Sequence, residues 1–397
     1  MAHDISAAVH STNSRRLAAV VTFTILAYLI LVLYAIAPYD YNLSSLIRIG
    51  AANPFFNPRV LEPGTVVFND PASGGDGYDG QFYYYAVKGF LMKEPVAPNP
   101  FRVQRILYPL VAYVLALGRP QLLPFTMLAV NIMAIAASAV FLWMMIRDLA
   151  VGPSLLLFYS LNIGFLIAVF YDVATPLCIG LVAVAAYFYS REMLWPASAL
   201  LGLSLLAQEN GLIAVAALAA WLMGKKNIRG ALIISASLLP WALWQVLLLK
   251  RFGQLPMQMS GHHLEMPFVG MISQLASLKL PGDWRGNLRE LSVYPFMLFV
   301  VMLLVVSAIE LRKRPSDYTF VLLLHALVGI CFNNEQIWSS TITSPGRALA
   351  GVFPFLVLCY AHGRSRGLRA LLILSGILTL MGVLRIFLMQ PHPFYVT

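Results

Sequence analysis

Two aspartates three residues apart, Asp76 and Asp79, stand in the glycine-rich run Ser73-Gly-Gly-Asp-Gly-Tyr-Asp-Gly80, and Gln81-Phe82-Tyr83-Tyr84-Tyr85 follows directly. Glycines let a backbone turn sharply and come close to a ligand. A carboxylate there, beside aromatic rings and just beyond the first apolar segment, is what sugar chemistry on a lipid-linked substrate needs: a base near an acceptor hydroxyl. Asp79 is the expected base and Asp76 its assistant. The plainer reading is a glycine-rich turn with solvated aspartates. The aromatics predict an amphipathic helix at the membrane face, with the acid at its N-terminal end, where the helix dipole favours it.

Four other groups carry chemistry. Arg102 and Arg105 open the apolar stretch Arg105–Gly118; they either snorkel to lipid headgroups or grip a lipid-linked phosphate, whose oxygens a guanidinium matches in pairs. Arg347, in Thr343-Ser-Pro-Gly-Arg-Ala, lies at a helix end where topology asks for no positive charge. Asp172 and Glu209 each begin a short helix, and a capping role alone accounts for Asp172. His262-His263 with Glu265 reads as a solvated loop or a substrate contact through His262; adjacent histidines point apart and make no metal site. Asp283-Trp284-Arg285 is a weak candidate for stacking on a sugar.

The elements that must position these residues are membrane helices. The 397 residues are 59% hydrophobic and only 11% charged, with mean hydropathy +0.76, against about 25% charged in soluble domains. The net charge of +10 sits mostly in short loops between apolar runs, which is topology and not a nucleic-acid footprint. Cys178, Cys331 and Cys359 lie in or beside apolar runs without paired spacing, so neither disulfide framework nor metal site is expected. Leu17–Ala37 lacks a small-residue cleavage site and reads as a retained first helix. There is no Walker loop, dinucleotide fingerprint or nucleophile elbow.

Clear apolar spans are Leu17–Ala37, Leu122–Ile146, Pro153–Phe170, Val173–Ser190, Ala231–Leu249, Val293–Leu311, Tyr318–Phe332, Ala348–Ala361 and Leu368–Leu388. The stretch 195–224 is interrupted by Gln208-Glu209-Asn210. As one long helix it buries Glu209 mid-bilayer, at roughly 2.5–3.5 kcal/mol on insertion scales. As two short helices, with 105–118 lying along the interface, it frees Glu209. Arg15-Arg16, Arg147, Arg191, Lys225-Lys226-Arg229, Arg312-Lys313-Arg314 and Arg364-Arg366-Arg369 then all fall inside. The second reading predicts an all-α polytopic membrane protein of about eleven transmembrane helices, one domain over 1–397. Its N-terminus is cytoplasmic and its C-terminus, with loops 38–121, 250–292 and 333–347, lies outside.

With these motifs placed, the chain resembles the GT-C superfamily of polyprenyl-phosphate-dependent glycosyltransferases, well over 17–225 and loosely over the variable helices of 226–397. Asp79 with Phe82 and Tyr83 matches that group's acid and nearby aromatic in the first outer loop. Arg105–Gly118 matches its interfacial helix, and Asp172 its second acid. Gln208-Glu209 stands where a polar pair with a lysine is common; without the lysine, phosphate binding falls to Arg105 or Arg347. The resemblance implies an inverting transferase at the periplasmic face of a bacterial inner membrane. It takes a sugar from a polyprenyl-phosphate carrier to a lipid, glycan or protein acceptor, with no cofactor beyond the donor. Asp79 is then the base, and Arg102, Arg105, Arg347, Tyr83, Asp172, Glu209 and His262 contact substrate. A lipid-linked sugar flippase or transporter, and a non-catalytic envelope assembly subunit, are the alternatives. A flippase built from two similar halves has discontinuous helices in matching positions, and this chain has one such pair and no second copy.

Overall fold

The computed structural model describes residues 2–69, 75–94, 100–259, 263–280, 282–340, 342–388 and 394–395. Helices dominate. Ser14–Tyr39, Pro120–Ile146, Ile228–Phe252, Gly286–Lys313 and Arg366–Leu388 are each long and apolar enough to cross a membrane, and the bent pair Pro153–Ser160 and Ile163–Phe170 makes a sixth. Five shorter apolar helices pack among them: Thr175–Ser190, Leu194–Ala207, Gly211–Gly224, Asp317–Ile330 and Val352–Gly363. The chain is thus a helical membrane protein, with one small exception to all-α character. Ile49–Gly50 pairs in parallel with Val66–Phe68, which pairs antiparallel with Phe394–Tyr395. That sheet ties the chain's last described residues to its first large loop.

The stretch 195–224 is indeed broken. Gln208 is extended (φ −166°, ψ 143°), which ends the first helix at Ala207 and leaves Glu209 in the break. Arg105–Gly118 contains only a nine-residue helix, Leu107–Leu115. Pro153–Phe170, expected as one span, is bent by 52°. Asn162 is the cause: its side chain caps the second half by accepting from the Phe165 N–H (3.0 Å) and donates to the Tyr159 carbonyl (2.6 Å), so it competes locally with the helix ladder.

The segment Gly80–Ala86 differs from the expected one-sided surface helix. Gly80, Gln81, Tyr83, Tyr84, Tyr85 and Ala86 are all buried, so the helix is plugged into the bundle end. A π-helical turn, Val87–Leu91, continues it. There Lys88, 2% exposed, bridges Glu62 and Glu94 at 2.5 and 3.1 Å, and Glu62 also accepts from Gln121 (3.2 Å). This ion-paired clasp fastens the first loop to its flanking segments.

Candidate functional site

Four sequence-distant segments meet around Asp79. The first is its own loop. The Tyr78 N–H donates to the Arg48 carbonyl (2.9 Å). The buried Gln81 side chain accepts from the Gly50 N–H (3.1 Å) and donates to the Asp76 carbonyl (3.0 Å). Gly80 must be glycine, because a Cβ there would overlap the carbonyl oxygens of Tyr171 and Ile47. Asp79 is the N-cap of its helix, yet its carboxylate makes no capping bond. It is turned instead toward three arginines.

Arg102 grips it with two nitrogens, Nη2 to Oδ1 at 2.7 Å and Nη1 to Oδ2 at 3.0 Å. Arg347 Nη1 donates to Oδ2 at 2.8 Å, and Arg105 Nη1 lies 4.0 Å from the same oxygen. Arg105 is committed elsewhere: its Nε donates to Glu209 Oε2 at 2.9 Å, its Nη2 to Glu209 Oε1, and its Nη1 to the Tyr83 hydroxyl at 3.2 Å. Two carboxylates and three guanidiniums leave one net positive charge. Their side chains are from 6% exposed at Arg105 to 30% at Glu209, so the cluster is largely buried yet not cut off from solvent.

Each arginine has its own support. Trp244 donates to the Val103 carbonyl (3.1 Å) and Gln245 to Gln104 (3.3 Å), which fastens the 102–105 turn to the helix Leu238–Phe252. The Thr343–Ala348 helix, which carries Arg347, lies so close to Ile163–Phe170 that a Cβ on Gly164 would overlap the Gly346 carbonyl, and one on Gly346 would press on Ile167. Asn210, next to Glu209, approaches the Arg347 carbonyl with its amide at 3.4 Å.

The electrostatics of Asp79 follow. Burial alone would raise its carboxyl, but Arg102, Arg347 and Arg105 outweigh burial and hold it well below the usual carboxylate range. It is ionised at any physiological pH and can receive a proton only if its guanidinium partners shift.

The other expected site residues fall in three places. Tyr83 is buried behind Arg105; it orients that guanidinium and lines no open surface. Asp76 is exposed, and its carbonyl, not its carboxylate, is what the loop uses. Asp172 does not cap the following helix, whose N-cap is Ala174. It is fully buried, has left-handed backbone (φ 44°), and both carboxylate oxygens lack a hydrogen-bond partner among the described residues. Burial pushes its carboxyl well above the usual range. Its turn packs beneath Gly80 through the Tyr171 carbonyl, so it lies under the cluster and not in it. His262 lies outside the described residues; Glu265 accepts from the Asn334 N–H (3.0 Å), and Asp283 caps the helix Trp284–Leu291 (2.7 Å to the Gly286 N–H).

Sequence reasoning passed over one part of this end of the molecule. Tyr78 stacks on Tyr171 (centroids 4.1 Å, 27°), Arg347 covers the Tyr78 ring at 4.9 Å, and Arg48 and Arg385 flank the Tyr171 ring at 5.5 and 5.9 Å. Arg385 stands near the end of Arg366–Leu388 opposite that helix's basic start, so it was legible as a stray charge like Arg347. No protein-family model, no curated protein and no solved structure matches the chain.

Proposed function

We propose that the chain is a membrane glycosyltransferase that moves a sugar from a polyprenyl-phosphate carrier to a hydroxyl acceptor, with Asp79 as general base. The observation that carries this reading is the convergence of Asp79 with Arg102, Arg105, Arg347 and Glu209 from four separate stretches of a membrane protein. Structural ion pairs alone rarely call for three arginines on one largely buried carboxylate, and perturbed carboxyls cluster at functional sites.

The chemistry needs few parts. The acceptor hydroxyl gives its proton to Asp79 as its oxygen attacks the anomeric carbon. The carbon–oxygen bond to the carrier phosphate breaks, and the electron pair leaves with the phosphate, which departs as an anion and needs no acid. Positive charge aimed at that developing anion lowers the barrier, and Arg347 and Arg102 are the arginines with solvent-reachable side chains. In the resting cluster their charge makes Asp79 a weak base. An arriving phosphate competes for both guanidiniums, and the carboxylate it displaces becomes more basic when the proton must be taken. Arg105, locked to Glu209, keeps the recess in shape. Inversion at the anomeric carbon accords with one base and no nucleophile.

The same reading takes all eleven apolar helical segments as spans, the bent pair counting once and the short helices held by their neighbours. On the positive-inside rule the basic loops are read as cytoplasmic and Asp79 as facing the other side, which this reading takes as the periplasmic face of a bacterial inner membrane.

A reconstituted system tests it. Proteoliposomes given glycosylated polyprenyl phosphate and membrane-derived acceptors release free polyprenyl phosphate, detected by mass spectrometry. Movement of intact donor across the bilayer with no cleavage would establish the flippase instead.

A further inference from the structure

We infer that a second anion site lies one aromatic stack away from Asp79, in the crevice between Arg48 and Arg385, and that it seats the phosphate of an aliphatic-tailed lipid. The crevice is lined on its polar side by Arg48, Arg385 and Tyr171 and on its apolar side by Leu166, Ile167 and Ile386, among others.

The charge balance sets this place apart from the Asp79 cluster. There, every arginine faces a carboxylate. Here, two guanidiniums face none among the described residues. Arg385 Nη1 donates only to the Tyr171 hydroxyl (3.0 Å). Arg48 Nη1 reaches the Tyr39 hydroxyl at 3.5 Å, its guanidinium lies over Phe68 (4.6 Å), and its Nε is buried with no hydrogen-bond partner among the described residues. Two cations lining one crevice without a counter-ion among the described residues repel, and a buried donor without an acceptor is costly. A phosphate oxygen pair satisfies both, since guanidinium forks match it geometrically. Arg48 is also held in left-handed backbone (φ 57°), with its carbonyl tied to Tyr78 (2.9 Å). Side chain and catalytic loop are therefore fixed by the same residue.

The apolar wall selects the tail. Leu166 and Ile167 belong to the bent span and Ile386 to Arg366–Leu388, so the crevice is walled by membrane helices. Its free volume is about 30 Å³, room for a water or two. The headgroup therefore enters by taking the place of the Tyr171 hydroxyl on Arg385. Arg347, Tyr78, Tyr171 and the Arg48–Arg385 pair form one continuous stack, so occupancy bears on the ring that Arg347 covers. The lipid's purpose as substrate rests on the function proposed above; the anion chemistry does not.

The test is binding, read without catalysis. Full-length protein in nanodiscs is titrated with dodecyl phosphate and, separately, with inorganic phosphate, followed by native mass spectrometry. Dodecyl phosphate binds the wild type, and Arg48→Gln and Arg385→Gln each weaken it at least about tenfold. Arg48→Lys and Arg385→Lys retain part of the affinity and serve if a glutamine variant does not fold. Inorganic phosphate binding as tightly, with the same arginine dependence, upholds the anion site and assigns it to free phosphate. Affinity for both probes that is unchanged in both glutamine variants overturns the site. Intact binding without sugar transfer would sink the proposed function and leave this site standing.

Discussion

Glu209→Ala isolates the most buried charge of the Asp79 cluster. Arg105 is 6% exposed in its side chain, and Glu209 is its bidentate partner. Without that carboxylate the guanidinium keeps the Tyr83 hydroxyl at 3.2 Å and Asp79 at 4.0 Å, and Asp79 is already shared by Arg102 and Arg347. Removing one partner of a buried pair costs about 3–5 kcal/mol, because the other charge is left uncompensated. Glu209 is 30% exposed, so solvent softens the loss, and the remaining Asp79 supplies some counter-charge; the lower end, about 3 kcal/mol, is expected. Glu209→Met combined with Arg105→Met removes both charges and costs less than Glu209→Met alone, and a cycle of the two single variants and their combination gives a coupling energy of about 2 kcal/mol or more. Equilibrium unfolding of the purified protein in mixed detergent–SDS micelles reads these three variants and Glu209→Ala. If Glu209→Ala falls within about 0.5 kcal/mol of wild type, the pair is not the buried strut described and the reasoning fails.

Other variants test the surrounding parts. Asp79 has a depressed carboxyl, so its ion pairs stabilise the fold fully above the unfolded carboxyl value of about 3.9 and are lost as pH falls through the folded value. The gap in thermal midpoint between wild type and Asp79→Asn is therefore flat from pH 8 to about pH 5 and shrinks below about pH 4; a gap that varies across neutrality contradicts the assignment. Asp172 runs the other way. Its raised carboxyl favours the fold below the unfolded value, and that stability is lost as pH rises toward the folded one. Asp172→Asn thus raises the midpoint at pH 8 and changes it little at pH 4, and an equal effect at both pH values would count against it. Gly80→Ala drives a methyl into two backbone carbonyls and is expected to cost about 1–3 kcal/mol by overpacking while displacing Asp79; wild-type stability in differential scanning fluorimetry would show that the approach is looser than described.

What was readable in the sequence was governed by hydropathy and charge placement. The long apolar helices, the break at Gln208-Glu209-Asn210 and the odd position of Arg347 all follow from the cost of putting charge among apolar residues. Asp79, Arg102, Arg105, Arg347 and Glu209 were each singled out, but their pairing was not, because no spacing rule connects residue 79 to residue 347. The expected phosphate role of Arg105 was assigned without knowing that Glu209 occupies it. Asp172 was read as a substrate contact, with capping as the plainer account, because a carboxylate at a helix start is often a cap; it is instead fully buried on a left-handed turn, and nothing local announces that. Pro153–Phe170 read as continuous because its apolar run hides Asn162, whose cap and bend depend on one side chain. The short strands of the first loop escaped for a related reason: they are two and three residues long, and Val66–Phe68 pairs not only with Ile49–Gly50 but with residues 394–395, far away in sequence.

The central claim is that Asp79 takes the acceptor's proton. Single-turnover transfer from a polyprenyl-phosphate sugar, measured in proteoliposomes for wild type and Asp79→Asn at pH 7.5 and matched for folded protein, tests it most directly. The rate is expected to fall by about 10²–10⁴ in the variant while donor binding persists. Transfer within a few-fold of wild type would remove Asp79 from the chemistry.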